Sequence, residues 1–236
     1  MPGVCIAFEE RDCGAPARKM PAPCGLVDLR FRALVGEEAW AALTPAIRRR
    51  FSKYLGPDVA ITYAGRVVES RHSLVGKLVA KACRLIGSPL PLHDDVSVPA
   101  VVTVTEDSAS GGQFWTRIYG QARGFPQVVH SSKRFGGPTG LEEFLGSACG
   151  IALTVTADRH ALRFLSDHYF LALGRVRLRL PSWLGPGRLE IIHIDEGEGS
   201  FLFVLMLRHP LAGELIRQVC QFRDGVVRKP RESRHA

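Results

Sequence analysis

The sequence predicts an α+β protein: a large curved antiparallel β-meander, half-open or closed into a barrel, with N-terminal helices packed on it. Three observations carry that expectation. From Val96 onward the chain breaks into short β-rich runs separated by turns rich in glycine and proline. The links between runs are too short for parallel returns, which need a crossover of about a dozen residues. Several runs are also apolar on both faces: in residues 201–207, Phe201, Phe203, Leu205 and Leu207 alternate with Leu202, Val204 and Met206. A meander of many strands twists and wraps rather than lying flat. One face then lines an interior, and the helices are expected to cover the other.

The elements follow in order. Residues 1–25 carry Gly14, Pro16, Pro21, Pro23 and Gly25 without a hydrophobic period, which predicts a flexible leader before a single domain over 26–225. Two helical pieces are expected at 37–43 and 45–55, the second capped by Thr44 with Pro45 in its first turn. Trp40, Leu43, Ile47, Phe51 and Leu55 fall on one stripe, with Arg48, Arg49 and Lys53 off it. A strand over 58–68 with a kink near Gly65 precedes the clearest helix, 73–86. Its apolar face comprises Leu74, Val75, Leu78, Val79, Ala82, Leu85 and Ile86, and Gly87 ends it. Strands are then expected at 97–106, 113–121, 126–135, 141–146, 149–157, 161–173, 175–180, 187–195, 201–208 and 214–222. A basic tail occupies 226–236.

Composition narrows the function classes. The 236 residues are 46% hydrophobic, which excludes a wholly disordered chain. The formal net charge of +8 invites a nucleic-acid reading, but the cations are 25 Arg against 6 Lys and there is no Asn, a skew typical of GC-rich coding. Residues 223–236 alone hold five basic and two acidic side chains, so +3 of the +8 belongs to a solubilising end. No run approaches the ~20 apolar residues of a bilayer span. Met1 to Phe8 is short and followed by Glu9, Glu10 and Asp12, so no signal peptide and a cytoplasmic location are expected. Cys5, Cys13, Cys24, Cys83, Cys149 and Cys220 are too sparse for a disulfide scaffold, and no two are spaced as zinc ligands. Cys83 and Cys149 read as small core residues.

Signature motifs are absent, and neither a cofactor nor a metal is expected. No phosphate-binding glycine motif follows a strand, and Gly136, Gly137, Pro138, Thr139 and Gly140 read as a hairpin rather than an anion cradle. In 146–150 the middle residue is Ala148, not a nucleophilic serine. His193 with Asp195, and His93 with Asp94 and Asp95, offer at most two ligands each, and a half-buried strand or a surface turn explains them as well. The informative polar set is Trp115, Arg117 and Tyr119, which share a strand face by the two-residue period. If that face is interior, Arg117 is a buried permanent cation that must be paired. Glu142, Glu143 and Glu190 are the carboxylates in strand context to meet it, and His168 and His193 are further polar residues among apolar neighbours. If the face is exterior, Arg117 is a surface cation stacked between two aromatics. The candidate ligand-binding set is Trp115, Arg117, Tyr119, Glu142, Glu190 and His193; no catalytic residue is assigned.

One ordered series of features runs from Trp40, Leu43 and Pro45 through Trp115, Thr116 and Arg117 to Leu141, Glu142 and Glu143. It continues with Leu180 and Pro181, Glu190, Ser200 to Phe203, and His209, Pro210, Leu211, Ala212 and Gly213. In this order the features resemble the bacterial domain of unknown function 4166 family, over about residues 31–225. The resemblance supplies no reaction. It implies a dehydrogenase- or epimerase-like partner protein, since members can be fused behind such dinucleotide-binding domains. The chain departs from the family pattern after the His-Pro-Leu turn, where Gln218, Val219, Cys220 and Gln221 replace a Tyr-x-Gly.

Three function classes follow. The leading one is a domain that binds a small apolar or amphipathic ligand, lipid- or isoprenoid-like, in a cavity of the sheet. The second is an isomerase- or hydratase-type enzyme acting on such a ligand, with Glu142, Glu190 or His193 carrying protons and Arg117 tuning them. The third is a basic interaction module, in which Arg48, Arg49, Arg50, Lys53 and the tail meet an acidic protein partner or a membrane surface.

Overall fold

The computed structural model describes residues 27–224 apart from 57, 58, 88, 147 and 175, together with the backbone of 226–228. The expected leader, with Cys5, Cys13 and Cys24, and the tail beyond 228 lie outside the described residues. Helices α1 (Arg30–Val35), α2 (Glu37–Ala42) and α3 (Pro45–Phe51) lead into β1 (Ala60–His72) and α4 (Leu74–Ala82), which tightens into a 3-10 turn over Cys83–Ile86. Strands β2 (Pro99–Asp107), β3 (Gly112–Tyr119), β4 (Gln127–Phe135), β5 (Leu141–Phe144), β6 (Cys149–Asp158) and β7 (Ala161–Leu173) follow. After β8 (Val176–Arg179) and a 3-10 turn over Ser182–Leu184 come β9 (Arg188–Gly197), β10 (Ser200–His209), β11 (Gly213–Arg223) and β12 (Val226–Arg228).

Ten strands form a closed antiparallel barrel in the order β1, β2, β3, β4, β5, β6, β7, β9, β10, β11. Closure runs through β1 and β11, from Gly65 opposite Phe222 to His72 opposite Ile216. This abolishes the unpaired edges that an open sheet would present. Two short strands lie off the ring: β8 pairs with the end of β7, and β12 with Ala60–Thr62 at the start of β1. Residues 226–228, expected in the tail, thus extend the sheet. The kink expected near Gly65 is a bulge between Val67 and Glu69. Gly65 itself lies against β11, where a Cβ would come within 2.0 Å of the Gln221 carbonyl oxygen.

The helices cover the barrel differently from the expectation. They do not blanket the outer face; they close its rims. At one rim, α1–α3 meet the turns after β2 and β6 and the end of β11. Thr44 N–H donates to the Arg159 carbonyl, the Arg30 guanidinium to the Gly111 carbonyl, and Arg50 pairs with Asp224 at 2.8 Å. The Thr44 hydroxyl caps α3 at Ile47 N–H, and the stripe of Trp40, Leu43, Ile47, Phe51 and Leu55 is buried as its spacing predicts. The outer apolar residues Ile192, Val204, Met206 and Val219 instead form a small cluster of their own. The Arg217 guanidinium, 3.1 Å from the Met206 sulfur, helps to cover it.

At the other rim α4 is turned over relative to its expected orientation. Its buried residues are Gly76 and Ala80, with Val79 half-buried against the core, while Leu74, Val75, Leu78 and Leu85 are exposed. Close approach explains the reversal: a Cβ on Gly76 would stand 2.0 Å from the Leu215 carbonyl oxygen, so only the small-residue face can lie on β11.

Candidate functional site

Alternate residues of each strand point inward, and the interior they build has two unlike halves. Toward the α1–α3 rim it is filled with rings. Phe51, Trp115, Phe164, Phe201 and Phe203 surround His193, with centroid distances of 5.0, 6.1, 5.9, 6.1 and 5.3 Å. Edge-to-face and offset contacts of this kind add to area burial. The gaps left there, about 10 and 20 Å³, hold one water at most. Toward the α4 rim the same barrel is hollow. A cavity of about 430 Å³ lies between the inner wall (Ile151, Leu189, Ile191, Leu205), the α4 end (Val79, Cys83) and the 180–186 segment. Ala82, Ile86 and Leu184 line it and are themselves exposed, so it opens between α4 and that segment.

An ion cluster stands where the halves meet. Arg117 on β3 donates to Glu143 Oε1 at 3.0 Å and to the Ser131 hydroxyl at 3.2 Å, and Lys133 Nζ lies 2.5 Å from Glu143 Oε2. All three charged side chains are buried. Lys133 faces the filled half, 5.3 Å from the Trp115 ring and 5.2 Å from that of Phe164. Arg117 and Glu143 line the hollow half. The Nε of Arg117 is buried without a hydrogen-bond partner.

Two cations therefore share one carboxylate. Burial alone would raise the proton affinity of Glu143, but the Lys133 ammonium and the Arg117 guanidinium outweigh it and hold the carboxyl down at about 2. For Lys133, burial, aided by Arg117, outweighs Glu143 and lowers its proton affinity. His193 is pushed well below its ordinary value, first by burial and then by Arg50, Lys133 and Arg117, and is neutral. The cluster with its lysine protonated carries an excess positive charge out of contact with bulk water. Such a charge is costly unless a further anion arrives.

A family model, Domain of unknown function (DUF4166), matches residues 43–222, from the residue before α3's cap to the penultimate residue of the closing strand β11. The chain belongs to that family. No curated protein and no solved structure matches it.

In this DUF4166 domain Trp115, Arg117 and Tyr119 all face the interior, which decides between the two readings of Arg117. Trp115 belongs to the filled half, and Tyr119, raised in proton affinity by burial, lies inside but off the cavity wall. His193 is central to the ring cluster and does not line the cavity. Glu142 and Glu190 are not brought to the site. Glu142 lies on the opposite face of β5 from Glu143 and meets Arg177 at 3.3 Å; Glu190 meets Arg163 at 3.3 Å in an outer groove with Arg188 and Arg208. His168 lies beside Asp167 rather than in the cavity. Among the described residues no group of three or more His, Cys, Asp or Glu side chains is placed to hold a metal, and no helix is long and apolar enough to cross a membrane.

Sequence reasoning missed Lys133 altogether. A signal for it existed: the turn 136–140 sets Phe135 opposite Leu141, which places Lys133 opposite Glu143 across the hairpin. Opposite charges at directly facing positions are a recognised cross-strand pair.

Proposed function

We propose that this domain binds a small amphipathic molecule with an anionic head, its apolar body filling the hollow half and its head reaching Arg117. The observation that carries this reading is the Arg117–Lys133–Glu143 cluster, two cations to one carboxylate, at the inner end of an apolar cavity. Its volume of about 430 Å³ falls in the range of small-molecule sites, roughly 300–1,000 Å³. A carboxylate head would supply the missing counter-charge and engage a guanidinium in the geometry that arginine favours. The acid–base reading needs Glu142, Glu190 and His193 in one chamber; the first two lie on the outer face and the third is neutral among rings. Glu143 is ionised and held by two cations, a poor proton donor.

The test is a fluorescence titration of the full chain with dansyl-labelled undecanoic acid and with its methyl ester. The acid is expected to bind about tenfold or more tightly than the ester, ~1.4 kcal/mol or more. Arg117→Met is expected to remove that preference. Equal binding of acid and ester to the unaltered protein, or no binding of either, overturns the proposal without reliance on a variant's stability.

A further inference from the structure

The reversed orientation of α4 leaves a surface that the cavity alone does not explain. Leu74, Leu78 and Leu85 are 84%, 67% and 91% exposed, and lie at spacings of four and seven residues on one stripe with the exposed Ala82. Across the cavity mouth Trp183 is 76% exposed, beside the lining residue Leu184. Exposed large apolar residues grouped in this way mark an interaction surface. The stripe is continuous with the mouth, because Ala82, Ile86 and Leu184 both line the cavity and reach solvent.

Charge selects the occupant. Residues 73–87 and 176–187, which frame the mouth, contain Lys77, Lys81, Arg84, Arg177 and Arg179 and no Asp or Glu. Asp94 takes up Lys77, Glu142 takes up Arg177 and Asp167 lies 4.0 Å from Arg179, but Lys81 and Arg84 are exposed and form no ion pair among the described residues. Leucine and tryptophan interleaved with long cationic side chains, which extend their charges past an apolar stripe, are the chemistry of a helix lying in an anionic bilayer interface.

We propose that the rim formed by α4 and the Ser182–Leu184 turn docks on anionic membrane surfaces, placing the cavity mouth at the lipid. The inference deepens the ligand-binding reading and rests on it: an amphipathic ligand would exchange with the bilayer through the mouth without crossing water. Leu78 and Leu85 would enter the interface, and Lys81 and Arg84 would meet phosphate groups.

Co-sedimentation of the full chain with vesicles of phosphatidylglycerol and phosphatidylcholine, against phosphatidylcholine alone, tests it. Binding to the anionic vesicles is expected to be at least tenfold stronger and to weaken with added salt. The double variant Leu78→Asp with Leu85→Asp and the double variant Lys81→Glu with Arg84→Glu are each expected to lower it at least tenfold. Both alter exposed side chains, so uptake of dansyl-labelled undecanoic acid from vesicle-free solution is expected to be unchanged. Failure of the unaltered protein to bind anionic vesicles while it still takes up the acid overturns the docking inference alone. Vesicle binding without uptake of the acid overturns the cavity reading, and with it the ligand-exchange role. A stable dimer by light scattering, dissociated by Leu78→Asp with Leu85→Asp, overturns the membrane assignment in favour of a second copy.

Discussion

The two halves of the barrel are built by the same strands yet are packed in opposite ways. On β10, Phe201 and Phe203 belong to the ring-filled half, and four residues later Leu205 and Leu207 line the hollow one. On β9, His193 belongs to the first and Leu189 and Ile191 to the second. Secondary structure and closure do not differ between the halves; side-chain volume and the rim elements do. The α1–α3 rim inserts Phe51 and Arg50 into the barrel, Arg50 lying 3.7 Å over the Phe201 ring. The α4 rim buries only the small residues Gly76 and Ala80 and sets the half-buried Val79 and Cys83 at the edge of the cavity, so the space beneath it is not filled. The lesson is that a cavity here follows from what caps the barrel as much as from what lines it.

The boundary between the halves is the place to break this comparison hardest. Glu143→Ala leaves Arg117 and Lys133 buried without their shared carboxylate, and about 3–5 kcal/mol of stability should be lost. Urea unfolding measures it, and a loss below ~1 kcal/mol would mean the cluster is solvated rather than sealed between the halves.

A second prediction sharpens the contrast within the walls. Leu162 is fully buried and off the cavity wall, and Leu205 is buried on it. Leu162→Phe should overpack and cost about 1–3 kcal/mol. Leu205→Phe has room to turn into, and should cost less than ~1 kcal/mol while weakening uptake of dansyl-labelled undecanoic acid. Equal costs would mean that the hollow collapses in solution.

The smallest expected effect concerns protons. The lowered proton affinity of His193 means that its folded-state preference for the neutral ring contributes fully above its unfolded value, ~6.5, and is lost as pH falls below it. From pH 7.5 to 6 that loss should be about 0.8 kcal/mol, and His193→Phe should remove it. The comparison needs only the difference between the two proteins' stability profiles across that window. Glu143 acts lower: its stabilisation is present above its unfolded value and falls away as pH drops toward 2.

The strands are legible because glycine and proline punctuate them and their side chains alternate; the pattern predicts a strand over 161–173, and β7 spans Ala161–Leu173. Helix α1 was not legible, since six residues with a single buried side chain, Phe31, carry no period. Periodicity puts the apolar residues of α4 on one face, but the structure divides them: Val79 packs toward the core and Leu74, Leu78 and Leu85 face outward. That was decided by a clearance at Leu215. The interior position of Trp115, Arg117 and Tyr119 followed from the period of two. Of the adjacent Glu142 and Glu143 only one could join them, and choosing it required the register of a four-residue strand. Glu190 and His193 lie three apart on one strand, so they face opposite sides of it, and the period of two excludes both from one cavity.

The pairing of β12 with the start of β1 has a consequence for how this unit can be joined to others. Val27 bridges to Lys53 beside the first strand, and Arg228 lies opposite Ala60, so the polypeptide comes into the barrel and leaves it on the same side. The thirteen residues of β1, on the order of 40 Å along the strand, lead from there to the α4 side. A neighbour tethered through either flank would hang behind the molecule, leaving its opposite face unobstructed, and the two flanks could be spliced to each other to give a circularly permuted chain with the barrel intact.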